Sequence, residues 1–248
     1  GLKWLVSAFN VGMPGVLNAD DMGLGKTLQA LMFLALYQQQ MPSYKVRPCL
    51  IVAPKGLLNN WLKEIDIHLV DGGLGAPLKA FGTTLKNLKN GSKGKDTDFG
   101  LSLLDIAAIQ QSSLVLTTYE TLRDYHVSFA RVEFGVTIFD EIQKAKNPKS
   151  LITICARTVN SQIQIGLSGT PVENSLADLW TIMDVLAPGL LSLSLKEFLE
   201  RYSGSIELPE TLVRLEELKN GLLEPDLPKV PPILRRMKVD IFRDGSLP

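Results

Sequence analysis

The sequence predicts an α/β fold, a mostly parallel sheet sandwiched by helices. Three observations carry that expectation. Five short aliphatic or β-branched runs, each four to six residues long, end in polar or glycine-rich turns, as strands buried on both faces do. Stretches with helical spacing lie between them, and this alternation points to parallel strands joined by crossover helices. The chain has 248 residues, 45% apolar and 21% charged, which suits a folded core and not a disordered tail.

The first expected strand is 15–19 (GVLNA), which runs into a glycine loop and a helix over 27–39. The strand 49–53 (CLIVA) stops at Pro54. Over 56–69, Leu57, Leu58, Trp61, Leu62 and Ile65 recur at three- and four-residue intervals, the stripe of a half-buried helix. A helix over 101–110 precedes the strand 114–117 (LVLT). The strand 136–139 (VTIF) ends at Asp140, and 162–167 (QIQIGL) ends at Ser168. A helix over 175–186 follows. Residues 90–100, rich in Gly, Ser, Lys and Asp, read as a flexible insertion. After Pro188 the pattern changes to short helices over 194–202 and 209–220, the second closed by Gly221. Four prolines between 225 and 232 interrupt the chain before 233–238 (ILRRMK). The expected organisation is a sheet lobe over 1–188 and a helical C-terminal appendage over 189–248.

Lys plus Arg is 26 and Asp plus Glu is 26. A net charge of zero excludes a basic arm or an acidic tail as the main functional feature, but a local basic patch is still allowed. Cys49 and Cys155 sit among apolar residues, as buried free thiols of a reducing compartment do. With His68 and His126 they form no zinc pattern. No apolar run approaches the ~18 residues of a membrane span, so no membrane partner is expected. The sequence opens on Gly1 and not Met, which reads as a piece of a longer chain.

Asp20-Asp21-Met22-Gly23-Leu24-Gly25-Lys26-Thr27-Leu28 links a strand to a helix, the context a phosphate loop requires. Gly23 and Gly25 let backbone N–H groups turn toward one anion, and the helix adds its positive end. Lys26 would place a cation on the β- and γ-phosphates, and Thr27 would offer a hydroxyl to Mg²⁺. The simplest pattern begins with glycine where this chain has Asp20. Asp140 and Glu141 leave the end of an expected strand, the rim where ligands sit in open α/β sheets. Asp140 can supply the carboxylate that Mg²⁺ lacks, and Glu141 can deprotonate a water. Alone, an Asp-Glu turn would read as a solvated turn; the glycine loop changes that reading.

Taken together, these motifs resemble the Swi/Snf family of superfamily-two, helicase-like ATPases. Residues 1–5 (GLKWL) look like the end of its adenine-recognition segment, 19–27 (ADDMGLGKT) like motif I, and 50–55 (LIVAPK) like motif Ia. Residues 116–122 (LTTYETL) look like motif Ib, 140–143 (DEIQ) like motif II, and 167–171 (LSGTP) like motif III. Leu234, Arg235, Arg236 and Lys238 look like the segment closing the first lobe. In motif I of the family an acidic residue normally replaces the first glycine. Motif II ends here in Gln143 where other forms carry histidine; glutamine can still hydrogen-bond across the cleft.

The resemblance implies the first RecA-like lobe of a motor that moves along double-stranded DNA and displaces a bound protein, usually without separating strands. It implies ATP, Mg²⁺ and a second RecA-like lobe that brings an arginine to the γ-phosphate. The fragment alone is therefore expected to be nearly inactive. Pro54, Lys55, Thr118 and Tyr119 would touch one strand, with the Lys144 and Lys146 region beside them. Ser168, Gly169 and Thr170 would couple the nucleotide to the DNA surface. Expected contacts are with phosphates and not base edges. Arg235 and Arg236 are open to three readings: the second lobe, DNA, or the acidic stretch 207–226. Trp61 and Trp180 read as core anchors. Two competing functions are a non-catalytic interaction module and a small-molecule kinase. The expected location is the bacterial cytoplasm, at the nucleoid, or the nucleus in a eukaryote.

Overall fold

The computed structural model describes residues 1–42, 46–69, 74–89, 94–169, 175–204, 208–225 and 229–238. Its strands are β1 (Gly15–Asn18), β2 (Cys49–Val52), β3 (Leu78–Ala80), β4 (Leu114–Thr117), β5 (Glu133–Asp140), β6 (Asn160–Leu167) and β7 (Ile233–Leu234). All pair in parallel, in the order β3-β4-β2-β5-β6-β1-β7. The helices are α1 (Leu2–Asn10), α2 (Lys26–Gln40), α3 (Lys55–His68), α4 (Asp96–Phe99), α5 (Ile106–Gln111) and α6 (Tyr119–Asp124). They continue with α7 (His126–Ala130), α8 (Leu151–Ala156), α9 (Leu176–Leu186), α10 (Leu195–Tyr202) and α11 (Pro209–Leu223).

Strand alternation divides the core in two. Val16, Ile51, Leu116, Ile138 and Ile165 face one side, where they meet α1, α2 and α3 through Leu5, Leu31 and Trp61. Leu17, Leu50, Val115 and Phe139 face the other, against Tyr119, Ala156 and Met183. Both faces are therefore covered, which is why the strands read as unbroken apolar runs. Helix starts are fixed locally. Asp105, Thr118, Ser150, Ser175 and Ser194 each accept a bond from the backbone N–H three residues on, a cap worth about 1 kcal/mol apiece.

Four expectations need correction. The helix expected over 101–110 begins only at Ile106, because Asp105 caps there and Leu104 bridges to Lys89. The helix expected to close at Gly221 runs on to Leu223 and buries Leu222 against the core. The C-terminal stretch is not wholly helical, since Ile233–Leu234 adds a strand beside β1. The insertion expected over 90–100 is structured where it is described (residues 94–100). Asp96 there is fully buried and accepts from the backbone N–H groups of Leu103 and Ser128 at 2.8 and 2.6 Å.

Asp96 thus ties α4 to α7. Asp96→Ala leaves two buried N–H donors without that carboxylate and should cost about 2–4 kcal/mol. Urea unfolding checks it; a loss under 0.5 kcal/mol would mean that the segment is not anchored this way.

Candidate functional site

The chain leaves β1 through Ala19 and Asp20, turns at Gly23 and Gly25 (φ 83° and 72°), and enters α2 at Lys26. L-residues other than glycine rarely take such angles. The loop borders a cleft of about 600 Å³ lined by Met22, Gly23, Gly25, Lys26, Thr27 and Leu28 on one side. Asp140, Glu141, Gly169 and Trp61 line it as well, so the lysine, the threonine and both carboxylates meet in one hollow. Leu24 is absent from the lining; its carbonyl accepts from Gln29 Nε2 at 2.8 Å.

Lys26 Nζ donates to the carbonyls of Asp20 and Asp21 at 2.6 and 3.0 Å. Burial holds its ammonium below the ordinary lysine range, against the opposing pull of Asp20 and the cleft carboxylates. Asp140 ends β5, where Trp61 Nε1 donates to its Oδ2 at 2.8 Å and Tyr119 Oη donates to its carbonyl at 2.9 Å. Burial pushes the Asp140 carboxyl above the usual carboxylate range, and the Trp61 bond opposes that push. Glu141 has φ 53°, the one non-glycine residue with positive φ among those described. That strained conformation lies in the acidic turn itself. Gln143 Nε2 donates to Glu141 Oε2, and Gln143 Oε1 accepts from Ser168 Oγ at 3.0 Å. A β-carbon on Gly169 would come within 2.8 Å of Met22 Cγ, so glycine allows the β6 turn to approach the loop.

Trp61 is a core anchor, 1% exposed, and also the donor that holds Asp140. The sequence signalled its burial and not its partner. Trp180 is buried too, with Nε1 donating to Ser192 Oγ at 2.9 Å. Pro54 caps α3 and Lys55 opens it, exposed to solvent. Lys144 is exposed, whereas Lys146 pairs with Asp178 at 3.4 Å. Two residues expected at DNA have side-chain partners within the fold. The Tyr119 ring is fully buried under β5, and the Thr118 hydroxyl is spent on capping α6. Thr170 lies outside the described residues. Arg236 pairs with a residue the sequence did not single out for it, Asp20, through Nε–Oδ1 and Nε–Oδ2 contacts of 3.1 and 3.2 Å.

A family model for the SNF2-related domain matches residues 1–248. The chain belongs to that family. Its Snf2 relatives include the Zorya protein ZorD of Escherichia coli, 40% identical over 98% of this chain and 22% of the relative's length. Another is the ISWI chromatin-remodeling complex ATPase ISW1 of Saccharomyces cerevisiae, 30% identical over 97% of this chain and 19% of the relative. The chain thus spans about a fifth of these proteins. The solved Sulfolobus solfataricus SWI2/SNF2 ATPase core in complex with dsDNA matches all of this chain and 45% of that one, at 30% identity and a TM-score of 0.74. The fold is the RecA-like fold of the Snf2 core.

Asp140 generates a prediction for this Snf2 domain. Its carboxyl is raised in the fold, so the folded state holds that proton more tightly than the unfolded chain. The ionisation penalty is absent below the ordinary carboxylate pKa. It grows as pH rises through the raised value and is fully present above it. Without divalent cations, Asp140→Asn should therefore melt higher than the native protein at pH 7, with the gap closing in acid. Trp61→Phe should lose about 1 kcal/mol at pH 7 and less in acid. An Asp140→Asn protein that melts lower at neutral pH would contradict the desolvation argument.

Proposed function

We infer that the chain is the ATP-binding lobe of a motor that tracks double-stranded DNA and displaces protein bound to it, without separating the strands. One observation carries this reading: Lys26, Thr27, Asp140 and Glu141 line a single cleft at the carboxyl rim of the sheet. A silent interaction module has no physical need for all four. The kinship with a solved Snf2 core in complex with dsDNA supports the choice of polymer.

The residues present fit Mg²⁺ with ATP. Asp140 is a desolvated carboxylate beside a hydroxyl and an ammonium, and a metal-bound triphosphate needs few protein ligands. Bound Mg²⁺ would neutralise charge developing on the transferred phosphoryl group. Thr27 and Asp140 would hold it. Lys26 would move from the loop carbonyls to the β- and γ-phosphates, steered by the glycine-turned backbone and the α2 N-terminus. Glu141 would orient a water and take its proton. Gln143, bonded to both Glu141 and Ser168, would carry the state of that water to the β6 turn.

On the DNA side, exposed Lys55 sits at the first turn of α3, whose free N–H groups favour phosphate. Lys144 adds a second exposed cation, and Lys146 a partly neutralised one. Such contacts are indifferent to base sequence and weaken with salt. We place the arginine that reaches the γ-phosphate on a second RecA-like lobe of the full protein, because this chain covers 45% of the solved core it matches. Such an arginine is worth about 10³–10⁵ in rate, so these 248 residues alone should hydrolyse ATP hardly at all.

The decisive experiment is ATP turnover by the full-length protein with and without duplex DNA. DNA should raise the rate. Glu141→Gln should lower it about 100-fold or more while nucleotide stays bound, and Lys26→Ala should lose nucleotide affinity. Native turnover in Glu141→Gln, or indifference to DNA, would remove the motor reading.

A further inference from the structure

The segment that follows β7 runs along the phosphate loop and bonds to it residue by residue. The backbone N–H groups of Leu17, Ala19 and Asp21 donate to the carbonyls of Pro232, Leu234 and Arg236 at 2.9, 2.7 and 3.1 Å. The ladder therefore continues past β1 into the loop. Side chains complete it. The Arg236 backbone N–H donates to Asp20 Oδ1 at 2.9 Å, and its guanidinium spans both carboxylate oxygens. The Lys238 N–H donates to Asp21 Oδ2 at 3.0 Å. Lys238 Nζ lies over Gly23, 3.3 Å from where a β-carbon would stand.

We propose that residues 234–238 form a strap that sets the phosphate loop, with Arg236 as a positioning residue acting through Asp20 on Lys26. The reasoning rests on the cleft being a nucleotide site, as inferred above. Asp20 stands where the simplest phosphate loop has glycine, and it is fully buried. A lone buried carboxylate there would be costly and would repel a triphosphate. Arg236 cancels both effects. The two residues the strap grips, Asp20 and Asp21, are also the two whose carbonyls hold Lys26. Lys26 must leave those carbonyls to meet a phosphate, so the strap's position governs how readily it is released. Gln29 closes the network. Its Oε1 accepts from Asn18 Nδ2 and its Nε2 bonds the Leu24 carbonyl, so both ends of the loop are stitched to α2. Arg236 is the point at which a displacement of the chain beyond β7 reaches the phosphates.

The test uses the full-length protein, a fluorescent ATP analogue, steady-state turnover and thermal melts. Arg236→Gln should weaken nucleotide binding about tenfold or more, since it leaves a buried carboxylate unpaired. KM should rise more than kcat falls. Arg236→Lys, which keeps the charge and loses the fork, should fall between native and Arg236→Gln. The double variant Asp20→Asn with Arg236→Gln should recover most of the affinity, because the pair becomes neutral and can still hydrogen-bond. A folded Arg236→Gln protein with native affinity, or a double variant as weak as the single one, overturns the strap. Should Arg236→Gln fail to fold, Arg236→Lys and the double variant decide by the same criteria. Lys26→Ala separates the two ideas: native affinity in that variant overturns the nucleotide site itself. Loss there, beside native Arg236→Gln, overturns only the strap.

Discussion

Leu167 pairs in register with Asn18 on one side and with Asp140 on the other. That shared register holds the site together. It makes β1, β6 and β5 end at one height, so the loops that leave them begin side by side. The phosphate loop, the Ser168–Gly169 turn and the Asp140–Glu141 turn are then neighbours because the strands are parallel, not because the loops seek each other. A one-residue slip of β6 would exchange its two faces, taking Ile163, Ile165 and Leu167 off the cluster they fill, and would also break this alignment. The apolar residues of β5 in both core clusters, and those of β6 in one, oppose such a slip.

The site stores unfavourable energy that the surrounding core must offset. Asp140 is desolvated, Glu141 takes a left-handed backbone, and Lys26 is held below its ordinary range by burial. A charged ligand of the kind proposed would relieve the two burial effects, and all three states would be selected against if stability alone mattered. Trp61 and Tyr119 are the offset. Both are fully packed aromatic rings whose polar atoms reach the Asp140 carboxylate and carbonyl respectively. Aromatic side chains suit this double role, giving an apolar body to the core and one donor to the site.

The parts of the fold that were legible in the sequence are those encoded locally. The five core strands announce themselves as unbroken apolar runs, and the glycine loop and acidic pair are contiguous motifs at their ends. What escaped depends on partners far along the chain. β3 and β7 have three and two residues and lie at the edges, too short for periodicity to register. Asp96 looks like one more charge in a polar insertion until Leu103 and Ser128 present their N–H groups to it. Tyr119 sits in a motif that resembles a DNA-contact segment, and only the packing of α6 under β5 shows that its ring points inward. Arg236 finds Asp20 across 216 positions, and no local pattern could choose that partner over DNA or an acidic stretch. The substitution of aspartate for the loop's first glycine was the available clue, since a buried carboxylate demands a cation.

Three charged groups of the cleft, Lys26, Asp140 and Glu141, are each held by a neutral partner. Lys26 rests on two carbonyls, Asp140 on an indole N–H, and Glu141 on the amide of Gln143. Direct pairing of the lysine with either carboxylate would be stronger and would close the hollow. Neutral holders keep the groups oriented and let go at smaller cost when a charged ligand enters, so less reorganisation is left for the moment of reaction. Asp20 is the exception that supports this account. It is held by a full countercharge, Arg236, and it lies outside the cleft lining, where release is not required. On the proposed reading the division has a physical sense: charges that would exchange partners are held weakly, and the charge that would stay is clamped.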